Sequence, residues 1–146
     1  MVWRNMKKLY VCDLDGTLTP HRESSADPFV LELLSNVEKM ITALQANGKK
    51  IAIATNQRLR DESDEELSAF CFWVTKTLHI TEPVMVATEV SPWMLKPSPC
   101  MILMLMQRYR LSAEEVVMIG NSKDDYLSAM NAGVDFMWAD EFFGRK

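Results

Sequence analysis

Five short apolar runs, each separated from the next by a helix-patterned segment, constrain this chain more than any other feature. The runs are residues 9–14, 50–55, 84–88, 116–119 and 134–139. Apolar runs of this length, bounded by turn-formers, read as strands buried on both faces. Asp27-Pro28 places an N-cap and a first-turn proline ahead of Val30, Leu33, Leu34, Val37, Met40, Ile41 and Leu44, and Asn47-Gly48 closes that helix. Ser63-Asp64-Glu65-Glu66 is a capping box opening a helix through Leu67, Phe70, Cys71, Val74 and Leu78. Ser98-Pro99 starts a helix running to about Tyr109, and Ser112-x-x-Glu115 caps a short turn. Residues 123–132 read as a helix with Gly133 at its C′ position. Strict alternation of strand and helix predicts an α/β, three-layer Rossmann-like fold with a five-stranded, largely parallel sheet covered on both faces. The 146 residues fit one domain, 1–146, with no linker, repeat or low-complexity tract.

Such sheets bind ligands beyond the carboxyl ends of their strands. Polar groups gather there in this chain. The first run ends in Asp13-Leu14-Asp15-Gly16, the second in Thr55-Asn56. Lys96-Pro97 follows the third, and Gly120-Asn121-Ser122-Lys123-Asp124-Asp125 follows the fourth. Two carboxylates two residues apart repel, and each is costly to desolvate. A metal ion, an anion held through that metal, or a shared proton resolves the conflict. Taken alone, Asp-x-Asp-Gly also occurs in calcium loops.

The formal net charge of −4 argues against a general nucleic-acid footprint. Cys12, Cys71 and Cys100 lie scattered in apolar segments and read as buried, reduced thiols. With His21 and His79 as the two histidines, no zinc-ligand spacing arises. Asp13 and Asp15 interrupt the first apolar run, so it does not read as a signal peptide. No uncharged stretch approaches the ~20 residues of a membrane span. The expected location is cytoplasmic.

Asp-x-Asp, a Thr, a Lys and an acidic pair near a glycine, in that order, resemble the four motifs of the haloacid dehalogenase (HAD) superfamily. The resemblance runs from Tyr10 to about Phe143. It implies a Mg2+-dependent phosphomonoesterase acting through an aspartyl-phosphate. Asp13 is then the nucleophile, and Asp15 protonates the leaving oxygen and activates water. Thr55, Asn56 and Lys96 bind the phosphoryl group. Asp13, Asp15 (through its main-chain carbonyl), Asn121 and Asp125 hold Mg2+. The second acid, Asp15, favours phosphate over carbon–halogen chemistry. The run Ala54 to Gln57 and the stretch Phe136 to Phe143 resemble the small capless branch, with its polynucleotide 3′-phosphatases and sugar-bisphosphate phosphatases. The zinc loop of many sugar-bisphosphate members has no counterpart in residues 89–95, which lack Cys and His.

Two features depart from the family. Asn121 stands where the motif has Asp, so the metal is held more weakly, or Asp124 compensates, or Asn121 serves as an ordinary ligand through its carbonyl oxygen. No stretch between Gly16 and Asp27, or between Thr88 and Lys96, can hold a cap domain, which needs about 50 residues. The site is therefore expected to be open to phosphorylated substrates of any size, nucleic acid entering only as a substrate. Oligomeric state is not legible. Two other functions stay open: a phosphate-binding or scaffold module with attenuated catalysis, and a phosphotransferase. Around the mouth, Trp93 packs over the sheet end or stacks on substrate, and His21 and Arg22 lie near the leaving group. Arg58 and Lys123 read as surface charge, Met101, Met104 and Met106 as core filler, and Phe142 and Phe143 as a C-terminal seal or partner contact.

Overall fold

β1 (Leu9–Cys12) is the centre of the sheet, and all four of its residues are buried. β2 (Lys50–Asn56) and β3 (Val84–Ala87) lie on one side of it, β4 (Val116–Gly120) and β5 (Asp135–Trp138) on the other. The order is β3-β2-β1-β4-β5 and every neighbouring pair is parallel. This computed structural model describes residues 7–21, 32–59 and 63–145. The five-stranded parallel sheet expected from the alternation is present.

Strand periodicity divides the core in two. Tyr10, Cys12, Ile51, Ile53, Val117 and Ile119 point to one face, where α1 (Val37–Ala46), α2 (Asp64–Leu78) and α5 (Ala139–Phe142) contribute Ile41, Phe70, Val74 and Phe142. Leu9, Val11, Ala52, Ala54, Val116 and Met118 point to the other, against α3 (Cys100–Tyr109) and α4 (Lys123–Ala132). Each fully buried Ile or Leu contributes about 2 kcal/mol relative to exposure. Thus the first two crossovers lie on one face and the next two on the other, as right-handed βαβ units require when the chain reverses direction across the sheet.

α4 and its Gly133 stop match the sequence reading, with Gly133 at φ 79. Ser63 Oγ accepts the Glu66 N–H at 3.1 Å and starts α2 as expected. The first helix does not begin where expected. α1 starts at Val37 behind Asn36, which has φ 70. Leu33 and Leu34 precede it in non-helical backbone, the Leu34 N–H donating to Leu18 O at 2.9 Å. Those two leucines pack against the core from non-helical chain rather than from a helix face. Asp27, Pro28 and Val30 lie outside the described residues. β1 also ends before Asp13, and the short α5 was not read from the sequence. Phe142 and Phe143 are buried in the core, as a C-terminal seal. Cys12 is buried, whereas Cys71 and Cys100 are half-buried. Met101 is core, but Met104 is 46% exposed and is not.

Candidate active site

The chain reverses its strand order at β1 and β4, so the loops leaving these two strands diverge and open a crevice. After β1 the backbone turns tightly: Thr17, Leu18 and Thr19 N–H groups all donate to Leu14 O, at 3.1, 2.8 and 3.1 Å. Gly16 makes that turn at φ +81, and a Cβ there would lie 2.2 Å from Asn121 Nδ2 and 2.6 Å from the His21 ring. Glycine is required both by conformation and by the close approach of the β4 loop. Gly120 is required for a similar reason, because a Cβ would meet the Asp125 side chain at 2.4 Å.

Lys96 is the electrostatic centre. It reaches the site from the loop after β3, through a 3-10 turn at Pro92–Met94, and its peptide to Pro97 is cis. Its Nζ donates to Asp13 Oδ1 at 2.8 Å, Asp125 Oδ1 at 2.5 Å and Ala54 O at 2.9 Å. Burial works against the ammonium, but the two carboxylates win and hold its pKa above the ordinary lysine value. Burial pushes the Asp13 carboxyl up to about 6, with Lys96 opposing and the Asp125 charge adding to the rise. Burial and the Asp13 charge push the neighbouring Cys12 thiol up to about 12, so it has no thiolate character.

The other expected residues have defined places. Thr55 is buried, and its hydroxyl accepts from Gln57 Nε2 at 2.9 Å. Asn56 serves Lys96: its Oδ1 accepts the Lys96 N–H at 2.9 Å and its Nδ2 donates to Lys96 O at 3.2 Å. That is a different use of its amide from the phosphoryl contact expected of it. Asp125 also differs from a simple metal ligand, since Oδ1 takes Lys96 and Oδ2 accepts the Asn121 and Ser122 N–H groups at 3.0 and 3.2 Å. Asn121 Oδ1 accepts from Thr17 Oγ1 at 3.3 Å, and its Nδ2 lies 3.0 Å from His21 Nε2. Asp124 is exposed on the first turn of α4, as are Lys123 and, after β2, Arg58. Trp93 is 67% exposed and so does not pack over the sheet end. Arg22 lies outside the described residues.

Sequence reasoning missed Gln57. Its Nε2 bridges Asp15 Oδ2 at 2.7 Å and Thr55 Oγ1 at 2.9 Å, while Thr19 Oγ1 donates to Asp15 Oδ1 at 3.4 Å. It missed Arg145 as well, which donates to Thr17 O at 2.8 Å and ties the turn after β1 to the C-terminal helix. The run Ala54 to Gln57 was the one available signal for the first. Nothing local signals the second.

The arrangement defines a class: a carboxylate beside a buried lysine, with a second carboxylate two residues on, at the carboxyl edge of a parallel sheet. The family model of haloacid dehalogenase-like hydrolases matches residues 14–139, and the chain belongs to that family. A phosphoglycolate phosphatase of Vibrio cholerae is 47% identical over 38 residues, a match covering 26% of this chain and only 17% of that protein's length. A HAD-like phosphatase candidate of Mesorhizobium loti superposes with TM-score 0.74 at 21% identity, covering 88% of this chain and 69% of the other. The D,D-heptose 1,7-bisphosphate phosphatase of Bordetella bronchiseptica, complexed with magnesium and phosphate, gives 0.72 at 21%, covering 88% and 78%. These likenesses establish the fold. Among the described residues no helix is long and apolar enough to cross a membrane.

Proposed function

We propose that this chain is a phosphomonoesterase that works through an aspartyl-phosphate on Asp13. The observation that carries the reading is the buried Lys96 clamped between Asp13 and Asp125, with Asp15 held beside Thr55 by Gln57. Lys96 balances charge at the phosphoryl group and orients the attacking oxygen. As the bond from Asp13 Oδ to phosphorus forms and the ester P–O bond breaks, Asp15 gives its proton to the leaving oxygen. The same carboxylate then takes a proton from the water that hydrolyses the acyl phosphate. Thr55 offers a hydroxyl to the phosphoryl oxygens, and Asn56 keeps Lys96 in place.

The donor set fits Mg2+. All the groups are hard oxygens, and Asp13, Asp15 and Asp125 outnumber the Lys96 ammonium beside them. Among the described residues no three His, Cys, Asp or Glu side chains cluster as a metal site. Holding the ion therefore falls to the Asp13 carboxylate, the Asp15 main-chain carbonyl and the Asn121 amide oxygen, with Asp125 supporting them through Lys96 and the Asn121 N–H. Bound there, Mg2+ would shield the negative charge of the phosphoryl group. The substrate is a phosphorylated molecule reaching a sheet edge over which the described residues form no cap domain. Phosphate release from an aryl phosphate with Mg2+, set against Asp13→Asn, tests the reading. Release equal in the two proteins, or none from either across alkyl, sugar and 3′-phosphorylated oligonucleotide substrates, overturns it in favour of a binding module.

A further inference from the structure

Gln57 has a task that neither the family match nor the charge pattern assigns. It sits just past β2, with its backbone N–H fixed to Ala87 O at 2.9 Å. From that rigid mount its single amide nitrogen reaches two different elements of the site. One hydrogen goes to Asp15 Oδ2 on the turn after β1, and the other to the Thr55 hydroxyl at the end of its own strand. Asp15 leaves β1 on a loop, and Thr19 Oγ1 adds a longer contact to its other carboxylate oxygen at 3.4 Å. Gln57 thus ties the proton donor directly to the phosphoryl-binding hydroxyl. A proton can reach a leaving oxygen only if its carrier stands at a fixed place relative to the phosphorus.

We infer that Gln57 is a positioning residue, which aims Asp15 at the leaving-group oxygen. The inference rests on the phosphomonoesterase reading above. The step that Gln57 serves is the first of that reaction. In that step the ester P–O bond breaks, the bond from Asp13 to phosphorus forms, and the Asp15 proton passes to the leaving alkoxide. A leaving group that is stable as an anion needs no such proton.

The test compares kcat/KM, which reports the steps up to phospho-enzyme formation, for ethyl phosphate and dinitrophenyl phosphate with Mg2+. For Gln57→Leu the expected result is a loss of about tenfold or more on ethyl phosphate, with less than about threefold on dinitrophenyl phosphate. The activity on the second substrate also reports that the variant is folded. Gln57→Glu, of the same size but repelling Asp15, should show the same selectivity. Adding Gln57→Leu to Asp15→Asn should cost nothing further on ethyl phosphate, because the two act as a unit. Equal losses on both substrates, no loss on either, or full additivity with Asp15→Asn overturns the inference while leaving the phosphomonoesterase reading intact. Wild-type protein that cleaves neither substrate defeats that reading, and the inference with it.

Discussion

Replacing Lys96 by Met would leave Asp13 and Asp125 facing each other in a buried site with no cation between them. Breaking a buried ion pair from one side costs about 3–5 kcal/mol, since the charges left behind lose their compensation. Urea unfolding of Lys96→Met should show a loss of that order at pH 8, together with loss of phosphatase activity. A stability change under about 1 kcal/mol would mean that the lysine is not clamped as seen. Asn121 supports a second expectation. Its amide oxygen is a neutral ligand, so Asn121→Asp should lower the Mg2+ concentration needed for half-maximal activity by about tenfold. An unchanged Mg2+ titration would show that Asn121 does not touch the ion. Asp13, Lys96 and Asn121 could be singled out from sequence because their chemistry is unusual at a strand end. Gln57 stood in the sequence only as the end of the run Ala54 to Gln57, and its role shows once the fold brings Asp15 to within 2.7 Å of it.

At the scale of elements, α4 shows where local signals suffice. Ser122 accepts the Asp125 N–H while Asp125 accepts the Ser122 N–H, at 3.2 Å each, so the capping box that starts the helix also places a site carboxylate. α1 shows where they fail. The apolar spacing of Leu33, Leu34 and Val37 looks helical, yet the first two pack against the core from non-helical backbone, and the Leu34 N–H is taken by Leu18 O in the turn after β1. Tertiary packing overrides propensity there. The β4–α4 junction leads to a test. Gly120→Ala should push Asp125 off its contacts and cost about 1–3 kcal/mol in thermal stability, with a larger proportional loss of activity. Full activity with unchanged melting would show that the Asp125 side chain need not approach the strand so closely.

For the whole molecule, the alternation of strand and helix settled the sheet, and right-handed crossovers settled which helices cover which face. The sequence could not show that Arg145, at the end of the described chain, would fasten the turn that carries Asp15, since that contact spans the whole fold. Global stability should also carry the mark of the site. The Asp13 carboxyl is raised from 3.8 to about 6 in the folded chain, so the folded state binds the proton more tightly than the unfolded state. Stability from this group is therefore present at low pH and declines as pH rises from about 4 to about 6, levelling off above. Without Mg2+, Asp13→Asn should accordingly be more stable than wild type at pH 7–8, by an amount on the order of 1–2 kcal/mol. The gain should shrink as pH falls towards 4. A variant that is less stable than wild type at pH 8 would mean that the Lys96 pair outweighs the desolvation of Asp13.

The central claim is covalent chemistry on Asp13, and a rapid acid quench with a substrate labelled in its phosphoryl group tests it most directly. Wild-type protein turning over with Mg2+ should carry a protein-bound label that hydroxylamine removes, as an acyl phosphate requires, and peptide mapping should place it on Asp13. Turnover with no covalent label, or a label on any other residue, would contradict the account.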